Sequence, residues 1–377
     1  MTFGKGTLEW LKLSYFFVLI LVACQSQSAG QQIPPTPDQT SSQPPSRGPI
    51  STIVTTPSPV AGQNATVAPR TPEESLEVKE YPVPLGSGPH DVAPATDGGV
   101  WHTAQRSGEL GHLDPATGAT RQVKLGAGSS PHGVMVGPDG APWVTDSGLN
   151  AIVRLDPVSE EVRAFPLPKG DLRGRGPANL NTATFDRRGA LWFTGQNGIY
   201  GRLDPHSGKV ELFDAPKGRG PYGIATTPDG EVYYVSLAGS YLGHIDLETG
   251  KVKVIEPPTR DQGARRVWSD SKGRLWISEW NAGQVGMFDP AMDQWREWRL
   301  PGNSPQPYSV YVDNEDSVWL SDFGANALVR FVPEKEQFEV FSLPGSPANI
   351  RQMLGRPGEM WGAESGTDKL VVVRKRQ

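Results

Sequence analysis

Cysteine is nearly absent from this 377-residue chain: Cys24 stands alone, so no disulfide can form within the chain. Basic charge is also in short supply. The formal net charge is −5 and no basic stripe is interleaved with aromatic residues, which argues against a nucleic-acid partner. The one long apolar run, residues 13–23, is too short to span a bilayer comfortably. These absences point to a globular domain preceded by a targeting segment.

Several enzyme signatures are missing as well. The chain contains no Gly-x-Ser-x-Gly elbow, no His-Glu-x-x-His, no phosphate-binding loop and no dinucleotide fingerprint. Serine hydrolase, zinc protease and nucleotide-dependent chemistry are therefore disfavoured. The chain is rich in turn-forming residues, with 44 Gly and 36 Pro. This composition suits many tight turns and argues against a helical protein.

The N-terminal residues have the pattern of export and attachment signals. Two lysines precede the apolar run, which ends in Leu-Val-Ala before Cys24, similar to the bacterial lipoprotein signal. We predict a signal peptide over residues 1–23 and acylation of Cys24; an ordinary signal peptide before a buried cysteine is the alternative. Residues 24–74 are rich in Gln, Ser, Thr and Pro, so a disordered tether is predicted. We expect a monomer that is exported and lipid-anchored to a bacterial membrane, on its periplasmic or cell-surface face.

An aromatic residue recurs through the rest of the chain at intervals of 41–49 residues. These frame positions are Trp101, Trp143, Trp192, Tyr233, Trp276, Trp319 and Trp361. Around them, as in residues 131–168, four short runs of β-branched and aromatic residues alternate with Gly, Pro, Asp and Asn, the pattern of four antiparallel strands. Four strands in roughly 40–45 residues are typical of a propeller blade. Residues 75–377 are therefore predicted to form an all-β, seven-bladed β-propeller of four-stranded antiparallel blades.

The two ends of the repeat indicate how the ring closes. The last unit has runs around Ile350, Trp361 and residues 370–373, but no fourth strand. An orphan strand pattern at residues 77–84 precedes the first unit. Joining the two in one blade removes sheet edges that would otherwise stay unpaired. We therefore predict that the N-terminal strand completes the last blade.

Two sets of positions should line the ligand-binding face, where inner strands begin and second strands end. Eleven residues before the frame positions stand His90, His132, Asn181, Tyr222, Arg265, Tyr308 and Ile350, which we call the channel positions. Three residues after the frame positions stand Ala104, Asp146, Gly195, Ser236, Glu279, Asp322 and Glu364. Framework positions repeat one residue type, whereas these vary among polar and ionisable types, as a binding surface would.

Two histidines are the leading candidates for chemistry. His90 and His132 occupy equivalent positions in neighbouring units, and Asp146 belongs to the same unit as His132. A His near a carboxylate suits a general base, and the carboxylate alternatively suits a metal ligand. Such histidines can equally hydrogen-bond carbonyl groups at a wet channel mouth. Arg265, next to Arg266, is either an anion clamp or part of a salt-bridge network.

Two stretches of the chain resemble the virginiamycin B lyase family. One is Gly-Ala-Leu-Trp-Phe-Thr at 189–194 followed by Ile-Tyr-Gly-Arg-Leu-Asp at 199–204. The other is Gly-Pro-Tyr-Gly-Ile at 220–224 followed by Pro-Asp-Gly at 228–230. The resemblance covers about residues 75–377 and implies a seven-bladed propeller. It also implies opening of a cyclic depsipeptide at its ester by Mg²⁺-assisted elimination rather than hydrolysis.

The resemblance implies roles at two Pro-His dipeptides, which the family's enzymes carry in adjacent blades. His132 is implied as the base that removes the proton next to the carbonyl, and His90 as a substrate contact. Asp146 falls where the family has a Glu that binds Mg²⁺. The family's second metal carboxylate falls at Ser130 in this chain.

The remaining candidates come from the ligand-binding face. Glu279 is a second candidate Mg²⁺ ligand. The predicted substrate contacts are His90, Asn181, Tyr222, Arg265 and Tyr308. We expect a small-molecule or cyclic-peptide ligand, handled by a lyase, by a non-catalytic binding propeller outside the cytoplasm, or by a metal-dependent lactone hydrolase. Convergence of His90, His132, Asp146 and a further carboxylate on one metal-sized site would favour an enzyme.

Overall fold

Each sequence repeat folds as one four-stranded antiparallel sheet, and seven such sheets form a β-propeller. The structure is a computed structural model that describes residues 66–67, 76–168 and 176–375. The predicted signal peptide, Cys24 and most of the predicted tether lie outside the described residues. No helix within the described ranges is long and apolar enough to cross a membrane.

Two strands precede the first complete blade, and blades 1 to 4 then follow in chain order. The preceding strands are β1 (Thr66–Val67) and β2 (Leu76–Pro82). Blade 1 comprises β3 (Pro89–Pro94), β4 (Val100–Ala104), β5 (Glu109–Leu113) and β6 (Thr120–Lys124). Blade 2 comprises β7 (Pro131–Val136), β8 (Pro142–Asp146), β9 (Ala151–Leu155) and β10 (Val162–Pro166). Blade 3 comprises β11 (Leu180–Phe185), β12 (Leu191–Gly195), β13 (Ile199–Leu203) and β14 (Val210–Asp214). Blade 4 comprises β15 (Pro221–Thr226), β16 (Val232–Ser236), β17 (Tyr241–Ile245) and β18 (Val252–Ile255).

Blades 5 to 7 complete the ring. Blade 5 comprises β19 (Ala264–Ser269), β20 (Leu275–Glu279), β21 (Gln284–Asp289) and β22 (Gln294–Arg299). Blade 6 comprises β23 (Pro307–Val312), β24 (Val318–Asp322), β25 (Ala327–Val332) and β26 (Gln337–Ser342). Blade 7 comprises β27 (Ile350–Arg356), β28 (Glu359–Glu364) and β29 (Lys369–Lys375), with β2 as its fourth strand. The first strand of each blade packs against the first strand of the next, and β27 packs against β3. These seven first strands therefore line the central channel.

The frame positions are structural. Trp192 and three further frame tryptophans are wholly buried, and the Trp192 indole donates to Asp186 in the β11–β12 turn at 2.8 Å. Three other frame indoles donate to the Asp of the corresponding turn in their own blades. The hydrophobic core lies between neighbouring blades, as where Trp143 and Phe165 of blade 2 pack with Phe193 of blade 3. The repeat thus supplies one core layer per blade interface.

The N-terminal strand closes the ring, as predicted. Strand β2 pairs antiparallel with β29, from Leu76 opposite Lys375 to Pro82 opposite Lys369. The Tyr81 ring packs on the Trp361 ring with centroids 5.6 Å apart. Because blade 7 combines a strand from before the first repeat with the three strands of the last repeat, the closing blade has four paired strands like the others.

One strand lies within the segment predicted to be a tether. Strand β1 pairs in parallel with β26, so that Thr66 is opposite Gln337 and Val67 is opposite Phe338. It adds a fifth strand to the outer edge of blade 6. The backbone pairing therefore begins upstream of the predicted domain boundary at residue 75.

Candidate functional site at the channel mouth

Every first strand begins with an irregularity in its pairing with the second strand. In blade 1 the register shifts between Pro89 and Val92, and the same shift recurs at the start of the other six first strands. A bulge interrupts the alternation of side chains along a strand and re-aims them. Neighbouring residues such as His90 and Asp91 are therefore both directed into one buried cluster, at what we call the channel mouth.

Five hydroxyl side chains hold the channel mouth in place. They stand two residues after frame positions and are Thr103, Thr145, Thr194, Ser278 and Ser321. Thr103 accepts the N–H of Asp91 at 2.9 Å and donates to the carbonyl of His132, in the next blade, at 2.9 Å. The other four donate in the same way to the carbonyls of Asn181, Tyr222, Tyr308 and Ile350. Because these acceptors are channel positions, the hydroxyls fix the backbone from which the site side chains project.

The two predicted histidines lie together at the channel mouth, and we call them the histidine pair. The ring centroids of His90 and His132 are 3.8 Å apart, and both rings are buried. His90 Nδ1 lies 2.7 Å from Asp91 Oδ1, which leaves Nε2 as its free nitrogen. Burial lowers the pKa of both imidazoles well below the ordinary value, and the charge of Arg266 lowers the pKa of His90 further. Both rings are therefore neutral at physiological pH.

A chain of hydrogen bonds places the proton on His132. Arg266 Nη1 donates to Thr182 Oγ1, and the Thr182 hydroxyl donates to Asn181 Oδ1 at 2.8 Å. This network turns the Asn181 amide nitrogen towards His132 Nε2, at 3.3 Å. Nε2 therefore accepts, and the neutral ring carries its proton on Nδ1. His132 Nδ1 is buried and has no hydrogen-bond partner among the described residues, so its N–H is a donor that no described group uses.

An ion pair joins opposite sides of the ring beside the histidine pair. Arg266 Nη2, in blade 5, lies 3.2 Å from Asp91 Oδ1, in blade 1, and the two residues are 175 positions apart in sequence. Asp91 is 0% exposed and Arg266 is 2% exposed. Burial raises the pKa of Asp91, while the Arg266 charge opposes that rise. We call this contact the cross-channel bridge.

The predicted substrate contacts of blades 4 to 6 form an adjoining group. The Tyr222 and Tyr308 hydroxyls are 2.6 Å apart, and Arg265 Nη2 donates to the Tyr222 hydroxyl at 3.2 Å. Burial raises the pKa of Tyr222 to about 12. The Tyr222 ring centroid lies 6.4 Å from that of His132. Five predicted contacts from different blades are thus brought to one place.

The two predicted metal ligands have other contacts. Asp146 Oδ1 accepts the N–H groups of Ser130 and Leu149, each at 2.9 Å, and so ties the loop after β8 to the start of β7. In blade 6, Asp322 Oδ1 similarly accepts the N–H groups of Gln306 and Gly324. Burial raises the pKa of Glu279 well above its ordinary value, which favours the protonated acid. Among the described residues, neither Asp146 nor Glu279 belongs to a group of three metal-capable side chains.

One group of metal-capable side chains does occur in the described part of the chain. It consists of His90, Asp91 and His132, whose ligand atoms lie within 4.8 Å of one another. Mg²⁺ prefers near-octahedral coordination by oxygen atoms and water, whereas this group offers two imidazole nitrogens and one carboxylate. The carboxylate is already engaged by Arg266, and the guanidinium charge opposes a cation. The donor set does not fit Mg²⁺.

The residues that complete the cluster stand one position after the predicted channel positions. They are Asp91, Thr182, Arg266 and Arg351. Regular strand alternation places such residues on the opposite side of the strand, so the pattern alone nominates only one residue per blade. Charge could have identified three of these residues from the sequence. In a regular inner strand, Asp91, Arg266 and Arg351 would place ionised groups against a neighbouring sheet, so a charged residue at this position indicates an irregular strand.

Comparisons with known proteins agree with this architecture. The sequence profile of the virginiamycin B lyase family matches residues 62–331. The chain resembles selenomethionine-substituted virginiamycin B lyase from Staphylococcus aureus, with 19% identity, a TM-score of 0.73, and coverage of 80% of this chain and 100% of that one. A streptogramin B lyase structure gives 21% identity, a TM-score of 0.72 and coverage of 80% and 98%. A catalytically inactive variant of the Staphylococcus aureus enzyme with quinupristin gives 19% identity, a TM-score of 0.73 and coverage of 80% and 100%. No curated protein sequence matches the chain.

Proposed function

The chain belongs to the virginiamycin B lyase family, and on that premise we propose that its channel mouth is the active site of a carbon–oxygen lyase acting on a small molecule. The reaction class is removal of a proton next to a carbonyl group, followed by loss of an oxygen leaving group. The observation that carries the proposal is the pairing of His90 with Asp91 inside the channel.

His90 has the features of a general base. Its Nδ1 lies 2.7 Å from the Asp91 carboxylate, which orients the ring and holds its proton on Nδ1. Nε2 is therefore unprotonated and free to accept a proton. Burial and three arginine charges lower the pKa of His90, so the ring is in the neutral form that a base requires.

His132 has the features of a hydrogen-bond donor rather than a base. Its Nε2 faces the Asn181 amide nitrogen, and its buried Nδ1 has no hydrogen-bond partner in the described part of the chain. Donation from Nδ1 to the substrate carbonyl would stabilise the negative charge that forms on oxygen when the proton leaves carbon. The proposal therefore exchanges the roles that the family resemblance implies for the two histidines.

The proposed step balances without water. His90 Nε2 takes the proton from the carbon next to the carbonyl, and the C–H electron pair becomes part of a carbon–carbon double bond. The bond between the neighbouring carbon and its ester oxygen breaks, and that electron pair leaves on the oxygen, giving a carboxylate. The proton on His90 then passes to solvent.

Nothing in this step requires a metal ion. The histidine pair and Asp91 do not fit Mg²⁺. Positive charge is supplied instead by Arg265, Arg266 and Arg351, whose charges all lower the pKa of His90. We therefore propose that activity persists in the presence of EDTA.

A binding propeller without catalysis is the second candidate. The observation in its favour is the burial of the site, since His90 is 3% exposed and His132 is 5% exposed, with the cross-channel bridge beside them. A base buried to this extent acts only if the channel mouth opens to admit substrate. A small molecule or peptide held at the surface of the mouth would need no such opening.

The test uses the full-length protein in detergent with a streptogramin B, with and without EDTA. Elimination gives a linear isomer of unchanged mass, whereas hydrolysis adds one water, so chromatography with mass spectrometry separates a lyase from a lactone hydrolase. We expect elimination in both conditions. His90→Gln should slow it by about 10²–10⁴-fold, the usual contribution of general acid–base catalysis, and His206→Gln, in an exposed turn, should leave the rate unchanged.

Three outcomes would overturn the proposal in whole or in part. Linearisation at the wild-type rate by a folded His90→Gln variant would remove His90 as the base, and loss of activity in His132→Gln alone would return that role to His132. Intact drug after incubation with folded wild-type protein would overturn the lyase and leave the binding propeller.

A further inference from the structure

We propose that the channel mouth contains a carboxylate-binding site formed by Arg265 and Arg351. The inference rests on the proposed function for the role of the carboxylate, which is the leaving group that elimination releases. Binding of a carboxylate to the two guanidinium groups is itself independent of turnover and is measured separately.

The channel mouth holds more positive than negative charge. Arg265, Arg266 and Arg351 bring three guanidinium groups to the cluster. Within the described residues the only carboxylate in ion-pair contact with any of them is Asp91, which pairs with Arg266. The histidine pair is neutral. The partly buried guanidinium groups of Arg265 and Arg351 therefore have no counter-ion among the described residues, and partial burial strengthens their attraction for an anion.

Aromatic rings, not carboxylates, hold the first of these guanidinium groups. Arg265 Cζ lies 3.7 Å from the Tyr308 ring centroid, 4.6 Å from that of Trp280 and 4.9 Å from that of Tyr222. Stacking against ring faces keeps the N–H groups in the guanidinium plane, where they can form paired hydrogen bonds with a planar anion. Nη2 also donates to the Tyr222 hydroxyl at 3.2 Å, whereas the buried Arg265 Nε has no hydrogen-bond partner among the described residues, so the group retains donors for an anion.

The second guanidinium group shares a ring with the first. Arg351 Cζ lies 5.4 Å from the Tyr308 ring centroid and 5.8 Å from that of Phe323, and its Nε donates to Ser365 Oγ at 2.9 Å. Two like charges near one phenol repel each other, and an anion close to both offsets that repulsion. The positive charge of these groups affects the pKa of Tyr308. Burial alone would raise that pKa, but the charges of Arg265, Arg266 and Arg351 outweigh burial and lower it.

The proposed reaction supplies the anion that this site lacks. When the carbon–oxygen bond of an ester breaks, its electron pair moves to the ester oxygen, and a neutral group becomes a carboxylate. A guanidinium binds a carboxylate through two parallel hydrogen bonds and an ester carbonyl through a weaker one. The two arginines therefore stabilise the leaving group more strongly than the bound ester, which is the condition for faster bond cleavage.

The probe is acetate, titrated into the full chain in an isothermal calorimeter at constant ionic strength, with chloride as the reference anion and inorganic phosphate as the second arm. We expect saturable binding of acetate that chloride does not reproduce. Arg265→Met and Arg351→Met should each weaken acetate binding at least about tenfold, because each removes charged hydrogen bonds. Arg187→Met, at an arginine in the β11–β12 turn whose side chain is 51% exposed, should change it by less than about twofold.

The outcomes are separable from those of the elimination assay. Acetate binding without elimination would overturn the lyase but not the carboxylate site, and elimination without acetate binding would overturn the site alone. Three results would each overturn the carboxylate site. Acetate could give the same heat of binding as chloride, or acetate binding could be undiminished in both methionine variants. The protein could also bind phosphate but not acetate. If Arg265→Met fails to fold, Arg351→Met decides the outcome, because Arg351 is less enclosed by aromatic rings.

Discussion

Loss of the Arg266 charge should destabilise the propeller far more than loss of an exposed arginine charge. Arg266→Met keeps most of the side-chain length but removes the guanidinium whose Nη2 lies 3.2 Å from Asp91 Oδ1. Both partners are at most 2% exposed, so water does not replace the lost contact. Removing one partner of a buried ion pair costs about 3–5 kcal/mol, and we expect the free energy of unfolding at neutral pH to fall by about that amount.

The assay is urea denaturation followed by tryptophan fluorescence, arranged as a double-mutant cycle. Asp91→Asn removes the charge that Arg266→Met leaves unpaired, so the double variant should lose less than the sum of the two single losses, with a coupling energy of about 2–3 kcal/mol. The matched control is Arg187→Met. Its ion pair with Glu231 is similar in length, at 3.0 Å, but the two side chains are 51% and 27% exposed, so a loss of at most about 1 kcal/mol is expected.

Equal losses in Arg266→Met and Arg187→Met would refute this reasoning, because they would mean that the Asp91 carboxylate does not depend on Arg266. The pH dependence gives an independent check. Burial raises the pKa of Asp91 in the wild type, and removal of the cation raises it further. The penalty in Arg266→Met should therefore shrink as the pH falls and Asp91 takes up a proton.

Two further predictions concern a buried acid and a buried hydroxyl. Burial raises the pKa of Glu364 from 4.5 to about 7, so the folded protein holds a proton that the unfolded chain releases, and wild-type stability falls as pH rises through this range. Urea titrations should show Glu364→Gln gaining up to about 3 kcal/mol relative to wild type between pH 4.5 and 7; parallel pH profiles would contradict this. Thr194→Val leaves the Thr182 N–H and the Tyr222 carbonyl unpaired and should cost about 1–3 kcal/mol in the same assay, whereas an unchanged midpoint would mean that neither group needs the hydroxyl.

The blade count and the closure of the ring were predictable because they depend on neighbouring residues. Strand alternation, turn residues and the aromatic spacing are properties of short stretches, and each unit repeats them. The closing strand was predicted at residues 77–84 and is observed at Leu76–Pro82. It ends at a proline, which has no N–H to donate to the ladder. Its partner was identified by counting strands, since only the last unit lacked a fourth.

The composition of the site was only partly predictable. The channel positions follow from the repeat, and the structure brings His90, His132, Asn181, Tyr222, Arg265 and Tyr308 to the channel mouth. Asp91 and Arg351 could not be predicted from the repeat spacing. That prediction assumes regular strand alternation, which the bulge at the start of each first strand interrupts. The family resemblance predicts a metal-ligand role for Asp146, and in the structure its carboxylate accepts backbone N–H groups of its own blade.

By itself, then, the sequence determined a seven-bladed ring whose last blade is completed by a strand from before the first repeat, because those features are encoded in contiguous residues. Only the tertiary structure decided what the channel holds. The cross-channel bridge joins residues 175 positions apart, and the proton position on His132 depends on Asn181, Thr182 and Arg266 from two other blades. Charges and hydrogen bonds act through space across the channel, and a local pattern carries no information about which distant side chain lies opposite.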